Sequence, residues 1–209
     1  ARYVLPPVIK RFTARYPKVK LILRQGSPTQ ISTLVTSGEA DVAIATEAID
    51  QFHELILLPC YQWNRCIVVP PKHSLLKLKK LTLEAINQYP IITYDFAFTG
   101  RSKINQAFES RGLEPNVVLT AIDSDVIKTY VELGLGIGIL ANMAFDAKRD
   151  KNLRSIDASH LFEPSTTRIG ISRNTYLRGY IFDFIEMFAP HLNHANIQAK
   201  LDNSETDTV

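Results

Sequence analysis

The chain has 209 residues, and its 24 lysines and arginines against 21 aspartates and glutamates give a formal net charge of +3. This length suits one ordinary domain or two small lobes of about 100 residues each. Hydrophobic residues make up 45% of the chain, which excludes collagen-like, coiled-coil and wholly disordered proteins. The basic residues are scattered, with the densest cluster at Lys77, Lys79 and Lys80, so we expect no extended DNA contact from this chain alone.

Signals for targeting, metal binding and redox chemistry are sparse. No segment reaches the ~18 apolar residues of a membrane helix, and the chain shows no signal peptide before its first amphipathic segment. Cys60 and Cys66 lack the spacing of a CxxC motif, and no cysteine and histidine pair has the spacing of a zinc site. The sequence therefore predicts a cytoplasmic protein with two reduced thiols near buried strands, no metal site and no membrane partner.

Helix and strand signals alternate in the first part of the chain. An apolar stripe over Leu5–Phe12 predicts an amphipathic helix, and Ser27 as N-cap, followed by Pro28, begins a second helix. Apolar runs predict strands over Val19–Arg24 and Asp41–Ala45. This order of helix, strand, helix, strand is typical of a parallel sheet with crossover connections.

The same alternation continues through the rest of the chain. Apolar runs predict strands over Leu55–Tyr61, Arg65–Val69, Ile91–Tyr94, Val117–Ala121, Ile137–Leu140 and Thr167–Ser172. Caps and helical periodicity predict helices over Leu81–Gln88, Gly100–Arg111, Asp125–Leu133 with Ser124 as N-cap, and 177–188. After Pro190 the pattern fades, and 203–209 is expected to be a frayed polar tail. Two similar α/β units joined by extended segments near 59–64 and 163–168 indicate two lobes with a cleft between them.

The sequence shows no constellation of catalytic groups. The five histidines lie in turn-like or terminal segments, and no GxSxG motif is present. Asp123 and Asp125 flank a helix start, where acidic residues are favoured by the helix dipole in any case. The glycines at 134–138 lack the spacing of GxGxxG and stand between a helix and a strand, which favours a tight turn over a nucleotide-binding loop. These observations argue against an enzyme.

Hydroxyl groups at strand ends and helix starts are the remaining candidates for ligand binding. Thr46 follows a predicted strand, and Ser27 and Thr29 begin a helix. The stretch Thr99-Gly100-Arg101 opens another helix, and its backbone N–H groups, hydroxyl and guanidinium suit a sulfate, phosphate or carboxylate. Each interaction at a helix end contributes only ~0.3–1 kcal/mol when exposed, so several must converge, and each is also an ordinary cap. Trp63, in a predicted crossover, either forms a wall of the cleft or simply packs.

Several motifs together resemble the effector-binding domain of LysR-type transcriptional regulators. They are RYVLPPVIKRF at 2–12, QGSPTQI at 25–31, ADVAIATEA at 40–48, LPCYQWNR at 58–65, FTGRS at 98–102, DVIKTYVELGLGIG at 125–138 and FAPHL at 188–192. The GSPTQ, PCYxWNR and FTGRS stretches are specific to the CysB-like branch, which controls sulfur assimilation. The resemblance extends over the chain to about residue 195.

This resemblance implies two Rossmann-like lobes, similar to periplasmic binding proteins, joined by two crossovers. The first lobe would hold 1–60 with 166–190 and the second 64–163, which leaves 191–209 as a C-terminal tail. In the branch, residues matching Thr46, Trp63 and Thr99 line the pocket between the lobes, and other family members bind effectors at the helix start that matches Ser27 and Thr29. The family's first strand, its winged helix-turn-helix DNA-binding domain and its linker helix are absent from this chain.

The implied function is an effector sensor of a transcription factor for sulfur assimilation genes. The expected effector is a small anionic metabolite, namely sulfate, thiosulfate, adenosine phosphosulfate or O- or N-acetylserine, and no cofactor is expected. Expected partners are a second copy of the chain in a homodimer or homotetramer, through residues 3–16 and 125–133, promoter DNA through the missing N-terminal domain, and RNA polymerase. A transport-type solute-binding protein for a small oxyanion is the alternative, and an enzyme with a binding-protein fold is the third reading.

Overall fold

A computed structural model describes residues 3–46, 49–95, 101–173 and 176–206 of the chain. Its helices are α1 (Leu5–Arg15), α2 (Pro28–Thr36), α3 (Leu83–Ile86), α4 (Arg101–Glu109), α5 (Ser124–Glu132), α6 (Gly179–Phe188) and α7 (His194–Thr206). Its strands are β1 (Ala43–Ala45), β2 (Leu55–Trp63), β3 (Arg65–Val69), β4 (Ile91–Tyr94), β5 (Val117–Ala121), β6 (Ile137–Ala141), β7 (Arg154–Asp157) and β8 (Ser165–Ser172).

The chain divides into two compact units, each with its own sheet. Unit 1 consists of Ala1–Tyr61 and Thr166–Val209, and unit 2 of Gln62–Ser165. The chain passes from one unit to the other within β2 and returns at the start of β8. The predicted α/β class with two lobes is therefore confirmed.

Unit 1 contains a three-stranded sheet in the order β1-β8-β2. β1 lies at the edge and pairs antiparallel with β8, so that Ile44 stands opposite Ile169. The purely parallel sheet predicted for the first part of the chain is therefore wrong at this pair. The partner strand β8 begins where unit 2 ends in the sequence. The local pattern around β1 therefore carries no information on the direction in which the two strands pair.

The core of unit 1 forms where α1 packs against α6. Leu5 and Val8 are buried, as the predicted helical stripe requires, and they share one apolar cluster with Ile181 and Ile185 of α6. Phe12 continues the stripe and meets the ring of Phe184 edge-on at 5.4 Å between ring centroids. This packing holds α1 against α6.

Residues 194–206 form α7 where a tail was predicted, and 207–209 lie outside the residues that the structure describes. This helix begins at His194 and continues to Thr206, so the backbone over 203–206 is helical and not frayed. Ile197 is fully buried in the core of unit 1, and the ring of His194 stacks on Phe182 with centroids 3.9 Å apart. The sequence pattern missed this helix because its polar residues surround a narrow apolar contact.

Residues 19–24, predicted as a strand, have no regular secondary structure. Ile22 and Leu23 expose 65% and 58% of their surface. An apolar run becomes a strand only when a neighbouring strand completes its hydrogen bonds, and within the described ranges no strand pairs with this segment. The segment is apolar, as the prediction requires, but local sequence cannot show whether a neighbouring strand is present to pair with it.

Unit 2 contains a five-stranded sheet in the order β5-β4-β6-β3-β7. β4 runs parallel to β5 and β6, whereas β3 runs antiparallel to β6 and β7. Every residue of β3, β4 and β6 is buried, in agreement with the continuous apolar runs that predicted these strands. The sequence pattern missed β7, because this edge strand is short, polar and largely exposed.

The helix α5 packs on β4, β5 and β6. Its N-cap is Asp123, whose carboxylate accepts a hydrogen bond from the backbone N–H of Asp125 at 2.7 Å. The predicted cap at Ser124 is therefore wrong by one residue, because a carboxylate one position earlier reaches the same helix end. Ser124 is instead the first helical residue, and its buried hydroxyl faces the sheet.

The glycine-rich stretch after α5 is a helix-to-strand turn, as predicted. Gly134 adopts a φ of 78°, which favours glycine at the helix end. A Cβ atom on Gly136 would lie only 2.4 Å from the carbonyl oxygen of Pro90, and the N–H of Ile137 donates to that same oxygen at 2.8 Å. Gly134 therefore permits the left-handed helix end, and Gly136 permits the close approach of the Pro90 backbone.

Candidate functional site

In unit 1, the hydroxyl residues selected from the sequence lie at one end of the sheet. α2 leads into β1 through a short turn and packs against it, so the start of the helix lies beside the end of the strand. Ser27 and Thr29 are at the start of α2, and Thr46 directly follows β1. The fold of unit 1 thus brings these three predicted residues to the same end.

Ser27 forms a reciprocal cap at the start of α2. Its Oγ accepts a hydrogen bond from the N–H of Gln30 at 3.3 Å, and the side-chain oxygen of Gln30 accepts from the N–H of Ser27 at 2.8 Å. This cap uses the oxygen of Ser27 as an acceptor and not its O–H group as a donor. Thr29 is exposed and Thr46 is half-buried, so the two hydroxyls at this end of the sheet differ in their accessibility to a ligand.

In unit 2, the strand register brings Trp63 and the start of α4 to one edge of the sheet. β4 and β6 are parallel, so their carboxyl ends share that edge. Arg65, at the start of β3, pairs with Ala141 at the end of β6, and Trp63 stands two positions earlier. Arg101 begins α4 on the same side, after the end of β4. Ligands of α/β folds bind at this carboxyl edge of the strands.

Arg101 is held by two hydrogen bonds at the start of α4. Its Nε donates to Oδ1 of Asn105 at 2.9 Å, and its Nη1 donates to the carbonyl oxygen of Tyr94 at 3.1 Å. Burial lowers the pKa of the Arg101 guanidinium, and the nearby carboxylate of Asp95 opposes this shift. The guanidinium stays protonated at neutral pH and directs a fixed positive charge at the sheet edge.

Trp63 is 6% exposed and packs against a buried arginine. The guanidinium carbon of Arg65 lies 5.1 Å from the centroid of the Trp63 ring, within cation–π range. The sequence left open whether Trp63 walls a cleft or simply packs. Its contact with Arg65 shows packing on one side of the residue and leaves its role toward a ligand as a prediction.

The sequence did not single out Tyr94, which organises this edge of the sheet. Its hydroxyl lies 2.7 Å from Oγ of Ser124 and accepts a hydrogen bond from the N–H of Ala141 at 3.2 Å. Three elements, β4, α5 and β6, are thereby joined at their ends. A tyrosine at the end of a strand gives no local signal of this role, because the role depends on partners from other elements.

The predicted site residues are divided between the two units. Ser27, Thr29 and Thr46 belong to unit 1, and Trp63 and Arg101 belong to unit 2. Thr99 and Gly100 lie outside the residues that the structure describes.

Two cavities of similar size lie elsewhere, one in each unit. The cavity of unit 1, about 330 Å³, runs between residues 19–25 and 39–44 over an apolar floor that includes Phe12 and Phe184. The cavity of unit 2, about 340 Å³, lies beside α3. Of the predicted site residues that the structure describes, none lines either cavity. The lining of the first cavity is largely apolar and its charged residues carry both signs, with Lys20 and Arg24 beside Glu39 and Asp41, so the hydroxyls and cation at the sheet ends are better suited to an anion.

The described part of the chain holds no cluster of three or more histidine, cysteine, aspartate or glutamate side chains placed to bind a metal ion. Each helix in the described ranges is too short or too polar to span a bilayer. Cys60 and Cys66 are free and buried, as predicted, and burial raises the pKa of each thiol to about 11. The chemistry at the candidate site is therefore that of hydroxyls, backbone N–H groups, one indole and arginine.

Comparison with known proteins points to one family. Residues 1–193 match the family described as the LysR substrate binding domain. The chain is 57% identical over 201 residues to the HTH-type transcriptional regulator SsuR of Burkholderia cenocepacia, covering 96% of this chain and 65% of that protein. It is 54% identical over 198 residues to the HTH-type transcriptional regulator CysB of Haemophilus influenzae, covering 95% of this chain and 61% of that protein.

A solved structure supports the same relationship. The crystal structure of the cofactor-binding domain of the Cbl transcriptional regulator superposes with a TM-score of 0.92 at 42% identity, covering 96% of this chain and 88% of that one. The two-lobed fold similar to periplasmic binding proteins, expected from the motifs, is thereby confirmed. The chain spans less than two thirds of the length of SsuR and CysB.

Proposed function

Because this chain belongs to the LysR substrate-binding domain family, we propose that it is the effector-sensing part of a cytoplasmic bacterial transcription factor for sulfur assimilation genes. SsuR and CysB are named as transcriptional regulators and not as enzymes, which supports a sensor without catalytic activity. The observation that carries the proposal is the carboxyl edge of the unit 2 sheet, where Trp63 and the cationic start of α4 share one side.

In this proposal, the effector is a small anionic sulfur-pathway metabolite that takes contacts from both units. Thr46 donates a hydroxyl from the end of β1, and Ser27 and Thr29 supply the start of α2. Trp63 provides an apolar wall, and the start of α4 provides Arg101 together with Thr99 and Gly100. Helix N-termini, hydroxyls and a guanidinium favour an oxyanion or carboxylate over a cation. Sulfate, thiosulfate, adenosine phosphosulfate and O- or N-acetylserine all carry such groups.

We also propose that the effector acts by shifting an equilibrium between two arrangements of a homodimer or homotetramer. A ligand can shift that equilibrium only by its different affinity for the two states. Residues 3–16 and 125–133 form the proposed contact between copies. On α5 and just after it, Val126 and Leu133 expose 42% and 68% of their surface, which supports a protein contact there.

The remaining partners belong to the longer protein. Promoter DNA would be bound by an N-terminal winged helix-turn-helix domain, and RNA polymerase is a further proposed partner. The net charge of +3, with its scattered basic residues, supports a division of labour in which this chain binds the small molecule.

Isothermal titration calorimetry with sulfate, thiosulfate, adenosine phosphosulfate, O-acetylserine and N-acetylserine tests the proposal. We expect at least one of these compounds to bind. Thr46→Val and Thr99→Val each remove a hydroxyl while keeping the shape, and we expect each to weaken binding about tenfold or more.

The matched control is Thr36→Val, which removes an exposed hydroxyl at the C-terminal end of α2 that donates to the carbonyl oxygens of Ser32 and Thr33 in the same helix. This variant should bind as tightly as the unaltered chain. The proposed function fails if none of the five compounds binds, and the proposed residues are wrong if Thr46→Val and Thr99→Val behave like the control.

A further inference from the structure

We infer that Arg65 is a positioning residue of the effector site, which holds Trp63 and the segment Glu163–Ser165 in one arrangement. The inference rests on the proposed role of Trp63 as an effector contact. Arg65 ends the LPCYQWNR motif, but neither this motif nor the family resemblance predicts a role for it.

Arg65 contacts both stretches of chain that lead between the units. It is the first residue of β3 and is only 1% exposed. Its Nη1 donates to the carbonyl oxygen of Glu163 at 2.9 Å, and its Nη2 donates to Oγ of Ser165 at 2.7 Å. Its guanidinium also lies against Trp63, the last residue of β2. One buried side chain therefore joins the end of β2 to the beginning of β8.

The burial of Arg65 is energetically unfavourable unless its donors are satisfied. β3 is otherwise apolar, and a buried guanidinium in such a strand gives less stability than a well-packed aliphatic side chain. Its partners include a carbonyl, a hydroxyl and an indole face, which are neutral, and its Nε is a buried donor without a hydrogen-bond acceptor among the described residues. An arginine in this place is therefore better explained by the geometry that it imposes than by the stability that it adds.

A second cation holds the same segment from α4. Nζ of Lys103 donates to the carbonyl oxygen of Pro164 and lies 3.9 Å from a carboxylate oxygen of Glu163. Three consecutive residues are thus fixed by two cations, one from β3 and one from the helix that begins at Arg101. A displacement of Trp63 or of α4 by an effector reaches Glu163–Ser165 through direct contacts, and this segment continues into β8.

The planar guanidinium is what this position requires. Arginine presents a forked set of donors and a flat face, so it bonds two acceptors and stacks on an indole at the same time. Lysine has the same charge but neither the fork nor the flat face. Arg65→Lys should therefore keep a positive charge and lose the arrangement, which separates positioning from charge alone.

The fluorescence of Trp63 tests this without any ligand, because it is the one tryptophan of the chain. In Arg65→Lys, we expect the emission of Trp63 to shift to longer wavelength and to be quenched more strongly by iodide, since the indole loses its packing partner. Ser165→Ala removes a single acceptor and should give a smaller shift of the same sign in a folded protein. Arg149→Lys, an exposed arginine of unit 2, should leave emission and quenching unchanged.

A double-mutant cycle tests whether Arg65 acts through Trp63. Sulfate and N-acetylserine are titrated separately by calorimetry into the chain, Trp63→Phe, Arg65→Lys and the double variant. Arg65→Lys should weaken binding about tenfold or more when Trp63 is present and less than about twofold in the Trp63→Phe background. Circular dichroism spectra confirm that each variant is folded.

The inference is overturned if Arg65→Lys and Ser165→Ala match Arg149→Lys in emission and quenching. It is also overturned if Arg65→Lys weakens binding equally in both backgrounds, since Arg65 then acts independently of Trp63. If the unaltered chain binds neither compound, the cycle is run with whichever of the other three compounds binds, and the effector role of this site fails if none of the five does. The emission and quenching data decide in either case whether Arg65 positions Trp63.

Discussion

The two units differ in how completely their sheets are built. In unit 2, the central strands β3, β4 and β6 are buried along their whole length and have hydrogen-bonded neighbours on both sides. In unit 1, the edge strand β1 has three residues and borders the largely apolar groove of about 330 Å³. Ile22 and Leu23, beside this groove, are exposed although they are large and apolar. Within the described residues, three strands of unit 2 are thus flanked on both sides, whereas β1 of unit 1 pairs with β8 on one side only.

The difference in strand pairing between the units indicates which candidate site residues are held rigidly. Local stability follows the number of buried apolar contacts and protected hydrogen bonds. Trp63 and Arg101 lie beside the flanked strands of the unit 2 sheet and are held by Arg65, Asn105 and the end of β4. Thr46 follows the edge strand β1 of unit 1. We therefore expect Trp63 and Arg101 in unit 2 to be more rigid than Thr46 in unit 1.

Matched core truncations give the largest expected difference between the units. Ile104→Ala on α4 removes a fully buried side chain from unit 2, and we expect it to lower the free energy of unfolding by about 4 kcal/mol. Ile31→Ala on α2 removes the same atoms in unit 1, where they already line the groove, and we expect a loss of about 1 kcal/mol. Urea unfolding followed by amide hydrogen exchange in each unit measures both values. Equal losses would contradict the comparison.

A buried and an exposed ion pair give the next largest difference. Nζ of Lys128, which is 8% exposed, lies 2.9 Å from Asp125 and 3.0 Å from Asp150 in unit 2. We expect Lys128→Ala to lower the free energy of unfolding by about 3 kcal/mol, because the partly buried Asp150 loses its cation. In unit 1, Arg24 and Glu39 pair at 3.3 Å with both side chains more than half exposed.

The matched variant Arg24→Ala should change the free energy of unfolding by less than about 0.5 kcal/mol. Thermal and urea denaturation of the two variants, repeated in high salt, provide the measurement. A large loss in Arg24→Ala, or none in Lys128→Ala, would show that unit 2 does not depend on its buried charges in this way.

The two thiols give the smallest and most selective comparison, since Cys60 lies in unit 1 and Cys66 in unit 2. Burial raises the pKa of each thiol from 9.0 to about 11, so between these values the unfolded chain loses protons that the folded chain keeps. Stability is therefore expected to fall as the pH rises through this window. Cys60→Ala and Cys66→Ala should each make the urea midpoint less dependent on pH between 9.0 and about 11.

Thiol labelling in the single-cysteine variants then compares the units directly. At constant pH below 9, we expect Cys60 to react with a thiol reagent faster than Cys66, because the three-stranded sheet of unit 1 opens more readily. Faster labelling of Cys66 would reverse the proposed order of local stability.

Element types were largely predictable from the sequence. The strands Arg65–Val69, Ile91–Tyr94 and Val117–Ala121 occur with the predicted bounds, because each is a continuous apolar run between breakers. The failures have physical reasons. Residues 19–24 lack the neighbour that would make them a strand, and α7 and β7 are too polar to give a periodic signal.

The candidate site was predictable only in part. Hydroxyls at strand ends and helix starts can be found from local patterns, and Ser27 does begin α2 as predicted. Tyr94 and Arg65 could not be found in that way. A tyrosine ending a strand and an arginine beginning one have no distinctive local signature, and their importance lies in partners from other elements.

Local patterns in the sequence were enough to predict the α/β class, the burial of most apolar runs, and the family to which the chain belongs. These properties depend on residues that are close together in the sequence. Only the tertiary structure decided the direction of β1 against β8, the place of β1 at the edge of its sheet, and the contacts of Arg65 with residues 98 and 100 positions away. The physical reason is that a hydrogen-bond donor or a strand edge carries no record of its distant partner until the chain has folded.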